Sequence, residues 1–139
     1  MDSRVSLDFL VGQVARAHVK KLNQELGKFG LHKGQPIMLL LLSKQDGIPQ
    51  SELVHEMDIT PATVSTMIKR LEKAGFVIRK RNAKDERISN VYLTDAGRSI
   101  CSKLYNLQKE MEAVVFSGFS AEEKESIRSY LERILDNLL

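Results

Sequence analysis

Thr60-Pro61 followed by Val64, Met67, Ile68 and Leu71 constrains this chain more than any other stretch. A threonine can cap the free N–H groups of a first helical turn, and a proline in the next position gives up only a donor that would have lacked a partner. A helix therefore begins at Pro61. Its four apolar residues recur at the 3.6-residue period, so they form one stripe that must face a core. The rest of the helix points elsewhere: Ala62, Thr66, Lys69 and Lys73 lie opposite the stripe, with Thr63, Ser65 and Arg70 on its flanks. That outward face is small, hydroxylated and cationic.

Small residues permit close approach to base edges, hydroxyls can meet bases or phosphates, and lysine and arginine bring charge to a polyanion. Taken alone, such a face is also an ordinary solvated one, and the flanking segments decide between the two. Residues 50–57 are long enough for two helical turns, with Leu53 and Val54 inward, and Asp58-Ile59-Thr60 connects them to the next helix. A short helix, a tight turn and a longer helix make a helix-turn-helix. Downstream, residues 76–80 and 91–93 are β-rich runs that read as a hairpin, a wing. Its loop, residues 81–87, is too charged to pack inside and too long for a minimal turn, so it should project into solvent or a groove.

Charge supports that placement. The whole chain of 139 residues carries only +3. Residues 60–94 hold eight cations (Lys69, Arg70, Lys73, Arg79, Lys80, Arg81, Lys84, Arg87) against three anions (Glu72, Asp85, Glu86), a net of +5 that leaves −2 for the remainder. A basic segment in an otherwise slightly acidic chain is the footprint of a phosphate-binding surface.

An apolar content of 42% suits one compact domain, or one protomer of an oligomer. The longest apolar run, residues 37–42, is far short of the roughly 20 that a membrane-spanning helix needs. The charged N-terminus lacks a signal-peptide core, so the expected setting is cytoplasmic, with no membrane partner. The single cysteine, Cys101, cannot form an internal disulfide, and no Cys/His cluster has metal-ligand spacing.

Residues 6–26 read as a long helix with Leu7, Leu10, Val14, Ala17, Leu22 and Leu26 near one face, ended by Gly27 and Gly30; His18 within it is assigned no role. Gly34-Gln35-Pro36 opens a second helix, to about Ser43, apolar nearly all round and therefore expected to be buried. Residues 44–47 form a turn. After the wing, Thr94-Asp95 can cap a helix carrying Ile100, Leu104, Leu107, Met111 and Val114 to about Ser117. A capping box at Ser120 and Glu123 opens the last helix, with Ile127, Leu131, Ile134, Leu135 and Leu138 on its apolar side. These stripes exceed what a small winged domain needs to cover itself. Leu7, Leu10, Ile127, Leu131, Leu135 and Leu138 are therefore expected at a homodimer interface, the alternative being a monomer whose end helices pack on each other. The expected fold is mainly α with a small β-hairpin wing (α+β): one domain over 1–139, with a winged helix-turn-helix lobe at 31–97 and helical dimerisation regions at 1–30 and 98–139.

Several motifs in the lobe together resemble the multiple antibiotic resistance regulator (MarR) family of transcription factors. They are Gly34-Gln35, Gln50-Ser51-Glu52-Leu53, Ile59-Thr60-Pro61-Ala62-Thr63-Val64, Ile68-Lys69-Arg70-Leu71-Glu72-Lys73-Ala74-Gly75, and Asp85-Glu86-Arg87 followed by Leu93-Thr94 and Gly97. The resemblance implies a homodimer with interlocked terminal helices that binds double-stranded DNA at a pseudo-palindromic operator. It also implies repression relieved by a small aromatic effector. Two departures stand out: Pro49 replaces the usual capping hydroxyl before the first motif helix, and the first helix lacks the cysteine of the family's peroxide sensors, so Cys101 reads as a semi-buried packing residue and not as a thiol switch.

The expected DNA-binding residues are Thr60, Thr63, Ser65, Thr66, Lys69, Arg70 and Lys73 on the recognition helix, with Lys84, Asp85 and Arg87 on the wing. Asp85 should orient Arg87 towards an A·T-rich minor groove, and Lys84 should meet phosphate. No catalytic constellation, metal site or cofactor motif appears, which disfavours an enzyme. A protein-interaction module would carry an apolar exposed face where Lys69, Arg70 and Lys73 stand. An architectural DNA binder without ligand control remains the alternative, because an effector pocket built from core side chains leaves no local motif.

Overall fold

The computed structural model describes residues 4–139. In chain order the elements are α1 (Leu7–Gly27), α2 (Gln35–Lys44), β1 (Ile48–Pro49), α3 (Gln50–Met57), α4 (Pro61–Lys73), β2 (Val77–Arg81), β3 (Ser89–Leu93), α5 (Asp95–Val115) and α6 (Ala121–Leu138). They fall into two compact units, a larger one ending at Tyr105 and a smaller one, Asn106–Leu139.

The larger unit is built on a core in which Met38, Leu39 and Leu42 of α2, Leu53 of α3, Val64, Ile68 and Leu71 of α4, and Val77 and Val91 of the sheet are fully buried. The α4 stripe thus faces inward as its period requires, with Met67 half-buried at its edge. Contrary to expectation, α2 is not buried all round: Ile37 is 59% exposed, because the larger unit covers only the Met38, Leu39 and Leu42 side. Cys101 is buried rather than semi-buried, its thiol donating to the Leu39 carbonyl at 3.4 Å, and desolvation raises its pKa.

The wing is a three-stranded antiparallel sheet in the order β1-β3-β2, where a two-stranded hairpin was expected. Ile48 pairs with Val91 and Pro49 with Asn90, while β2 runs from Val77 opposite Leu93 to Arg81 opposite Ser89. Proline is tolerated in β1 because the strand is short and lies at the sheet edge. The same residue is the N-cap of α3, with no side-chain cap, so α3 starts directly from the strand. The turn entering β1 is fixed by Gly47 at φ +77°, whose N–H donates to the Val91 carbonyl at 2.9 Å. A Cβ there would sit 2.7 Å from the Tyr92 ring, so glycine is required by space as well as by φ. Asp46 accepts the Leu93 N–H at 2.8 Å, tying the turn to the exit of β3.

That exit is also clamped to the end of α4. The Thr94 hydroxyl donates to the Gly75 carbonyl at 2.6 Å and accepts from Gly97 N–H at 3.0 Å, and Thr94 N–H donates to the Phe76 carbonyl at 3.0 Å. One threonine therefore caps α5 and holds the α4 terminus against it.

In the smaller unit, the expected capping box is present: Ser120 Oγ accepts from Glu123 N–H at 3.1 Å, and Ser120 N–H donates to the Glu123 carboxylate at 2.9 Å. Phe116 and Phe119 meet edge-to-face at 6.2 Å. Along α6, Ile127 is half-buried while Leu131, Leu135 and Leu138 are exposed by 53%, 53% and 75%. In the larger unit, Leu7 and Leu10 of α1 are also exposed, and Leu26 is that helix's buried residue. Among the described residues no helix is long and apolar enough to cross a membrane.

Candidate nucleic-acid interface

Two projecting features of the larger unit, the outer face of α4 and the loop between β2 and β3, carry the expected site residues. On α4, Thr60 caps the helix by accepting the Thr63 N–H at 3.2 Å, and its hydroxyl lies 2.8 Å from the Thr63 hydroxyl. Its first work is thus to fix the helix start, which also sets the rotamer of Thr63. Thr63, Thr66, Lys69, Arg70 and Lys73 are exposed, and Ser65 is half-buried on the flank. The Thr66 hydroxyl donates back to the Ala62 carbonyl at 3.0 Å, which leaves its oxygen facing outward as an acceptor.

The three α4 cations Lys69, Arg70 and Lys73 have no ion-pair partner among the described residues. Arg79 differs: it is bound to Glu72 at 2.9 Å, an ion pair that joins β2 to α4. Lys80 lies over the Tyr92 ring at 5.3 Å. The basic segment thus divides into cations spent within the lobe and cations free for an anionic partner.

Two residues missed by sequence reasoning, the cation Lys33 and its neighbour His32, stand beside the free set. His32 and Lys33 line a cleft of about 270 Å³ together with Thr63, Thr66 and Arg70. They arrive there through tertiary packing: Gly34, at φ +87°, leaves no room for a Cβ beside the Met67 methyl, so the start of α2 lies against α4. Buried Gln35 holds the loop by accepting the His32 N–H at 2.8 Å. The only local signal was a pair of basic residues before a helix start.

The wing loop is closed on itself by hydrogen bonds. Asn82 N–H donates to the Ile88 carbonyl at 2.8 Å, and Ile88 N–H to the Asp85 carbonyl at 3.0 Å. Asp85 and Arg87 form the expected pair in a bidentate geometry: Arg87 Nε and Nη2 each donate to the carboxylate at 3.0 Å, and Arg87 N–H donates to Oδ1 at 3.0 Å. The Arg87 side chain is nonetheless 90% exposed, so it is oriented without being covered. The side-chain bonds from Arg87, then its backbone N–H, lower the Asp85 pKa, and Asp85 raises that of Arg87. Lys84 is exposed on the same loop and has no such partner among the described residues.

Chemically this surface offers hydroxyl oxygens, free ammonium and guanidinium groups, and a preset guanidinium fork. Among the described residues no group of His, Cys, Asp and Glu could hold a metal ion.

Comparison with known proteins agrees with this geometry. Residues 35–89 match the model of the MarR family, a segment that runs from the start of α2 to the wing and includes all of α4. The chain is 34% identical to the HTH-type transcriptional regulator YdgJ of Bacillus subtilis over 112 residues, covering 78% of this chain and 66% of that one. It is 29% identical to YybA of the same organism over 128 residues, covering 92% and 85%. The Staphylococcus aureus MepR–DNA complex superposes with a TM-score of 0.79 at 26% identity, covering 96% of this chain and 99% of MepR. The helix-turn-helix, the wing and the matched segment coincide, and the chain belongs to the MarR family of DNA-binding transcription regulators.

Proposed function

We propose that the protein is a homodimeric repressor that reads a pseudo-palindromic operator and is released by a small aromatic ligand. The observation that carries the DNA-reading part is the division of labour on α4: its apolar stripe is spent on the core while Lys69, Arg70 and Lys73 stand exposed, with no ion-pair partner among the described residues. In this reading α4 enters the major groove, with Thr63, Ser65, Thr66, Lys69 and Arg70 available to bases and phosphates. Lys73, Lys84, His32 and Lys33 meet the phosphate backbone, and the Arg87 fork enters a flanking A·T-rich minor groove.

Dimerisation is supported by leucines that the single chain leaves in water. Leu7 is 82% exposed, and Leu131, Leu135 and Leu138 of α6 are each more than half exposed. Each stripe separately needs an apolar cover, and a second copy supplies it with the two-fold symmetry of a palindromic site. Ligand release and repression rest on the family alone, and a ligand acts only by binding the DNA-incompetent state more tightly.

The test is a gel-shift titration against the DNA immediately upstream of the protein's own gene, at fixed salt, with a salicylate-type aromatic acid as competitor. Sequence-specific retardation lost on adding the acid is the expected result. Binding indistinguishable from random DNA would overturn the regulator reading, whereas specific binding insensitive to a broad ligand screen would leave an architectural DNA binder.

A further inference from the structure

The wing contains two asparagines, Asn82 and Asn90, that lie outside every motif used so far, and they are bonded in one continuous chain. Asn82 Oδ1 accepts the backbone N–H groups of Lys84 at 2.8 Å and Asp85 at 3.2 Å. Asn82 Nδ2 donates to Asn90 Oδ1 at 3.4 Å, and Asn90 Nδ2 donates to the Gly47 carbonyl at 2.9 Å. The chain runs from the turn before β1, across the sheet, to the residue whose carboxylate holds Arg87.

Polarity fixes the sense of this chain. One end is a pair of backbone donors and the other a backbone acceptor, so each amide can lie only one way round. Turning either amide over would set donor against donor or acceptor against acceptor, which no amide rotation at the other position repairs. Both asparagines are half-buried, where an unsatisfied amide is costly. The Asn82 side chain therefore sets the direction in which the backbone leaves the loop at Asp85, and Asp85 in turn presents its two oxygens to Arg87.

We propose that Asn82 and Asn90 are positioning residues that hold the Asp85–Arg87 fork at the angle needed for minor-groove reading, so that wing specificity is anchored at the Gly47 turn. This rests on the DNA-reading role of Arg87 for its consequence but not for its geometry. It assigns to two neutral side chains an effect on sequence preference that acts through Asp85 and Arg87.

The experiment uses the full chain and an operator duplex selected by the wild-type protein from random DNA, prepared with A·T and with G·C flanks. Binding is measured by fluorescence anisotropy for wild type, Asn82→Ala, Arg87→Ala and the double variant, and the Arg87 Nε–H signal is followed by NMR in the free proteins. Asn82→Ala is expected to weaken the A·T-flanked duplex by about three- to tenfold, to flatten the flank preference, and to add nothing in the Arg87→Ala background. Asn82→Ser, which keeps an oxygen able to accept the Lys84 and Asp85 N–H groups, should recover part of the preference. Asn90→Ala should shift the Arg87 Nε–H signal in the same direction as Asn82→Ala. Equal loss on both duplexes that adds to the Arg87→Ala loss would reduce Asn82 to a loop staple and overturn the proposal. An Arg87 Nε–H signal unchanged by Asn82→Ala would overturn it too, whatever the DNA shows. If Arg87→Ala itself leaves flank preference intact, the minor-groove reading fails, and the relay is then decided by the NMR signal alone.

Discussion

Replacing Gly97 by alanine should destabilise the protein, although helix propensity argues the opposite. Gly97 lies in the first turn of α5, and in an unconstrained helix Gly→Ala stabilises by about 1 kcal/mol. Here an added Cβ would fall on the Phe76 carbonyl oxygen and come 3.0 Å from a Leu93 methyl. The obstacle is backbone, and that oxygen already accepts the Thr94 N–H at 3.0 Å, so it cannot retreat without loosening the bond. Overpacking against a fixed group costs about 3 kcal/mol, the upper part of its usual range. Weakening one hydrogen bond adds about 1 kcal/mol. Subtracting the propensity gain leaves a net loss of about 3 kcal/mol. Urea unfolding at fixed protein concentration, on which the stability of the proposed dimer would depend, should show a midpoint lower by about 1–2 M with the slope unchanged. A midpoint that rises, or stays within error of wild type, would show that the α4–α5 junction is slack and would refute the argument for glycine at this position.

On the wing, Arg87→Ala should flatten the preference for flanking A·T pairs, Lys84→Ala should weaken all duplexes alike and reduce the salt slope by about one, and Asp85→Ala should weaken binding despite removing a negative charge; tighter binding by the last would make the wing a mere charge patch. On α4, Thr66→Ala and Lys69→Ala should each lose about 1–3 kcal/mol of operator affinity wherever a base contact is removed, with circular dichroism unchanged; unaltered affinity in both at fixed salt would put the wrong face against the DNA. Leu131→Asp and Leu135→Asp should give monomeric or unfolded protein in light scattering, and a wild-type monomer at micromolar concentration would end the dimer proposal. The Asp85 pKa is lowered by Arg87, so the fork's contribution is complete above the ordinary carboxylate value of 3.8 and is lost only as pH falls through the depressed value; an Arg87 Nε–H signal that collapses well above pH 4 would contradict this order.

What the sequence made legible was chemistry confined to a few neighbouring residues. The Thr60-Pro61 start, the Ser120–Glu123 capping box and the Asp85–Arg87 pair all depend on contacts two or three residues apart, and each stands in the structure as read. What escaped was set by packing between distant segments. Strand β1 has two residues, one of them proline, and exists because Val91 and Asn90 lie opposite it. Ile37 looks like its buried neighbours in the sequence, and only the one-sided cover of α2 sets it apart. His32 and Lys33 join the α4 cations through the contact of Gly34 with Met67, which no periodicity encodes. The asparagine chain was invisible for the same reason, since Asn90 and Gly47 are 43 residues apart.

The Glu72–Arg79 ion pair and the Thr94 clamp at Gly75 together bind both ends of the sheet's attachment to α4. Both contacts resist rotation of the wing relative to the helix. On the proposed docking, such a protein would act as a gauge of helical phase: inserting one base pair between the bases assigned to α4 and the step assigned to Arg87 would rotate the second feature by about 35°, away from the Arg87 fork. Operators would then be distinguished by the spacing of their elements as sharply as by the elements themselves, and natural variation between half-site and flank would be confined to substitutions, with insertions and deletions excluded.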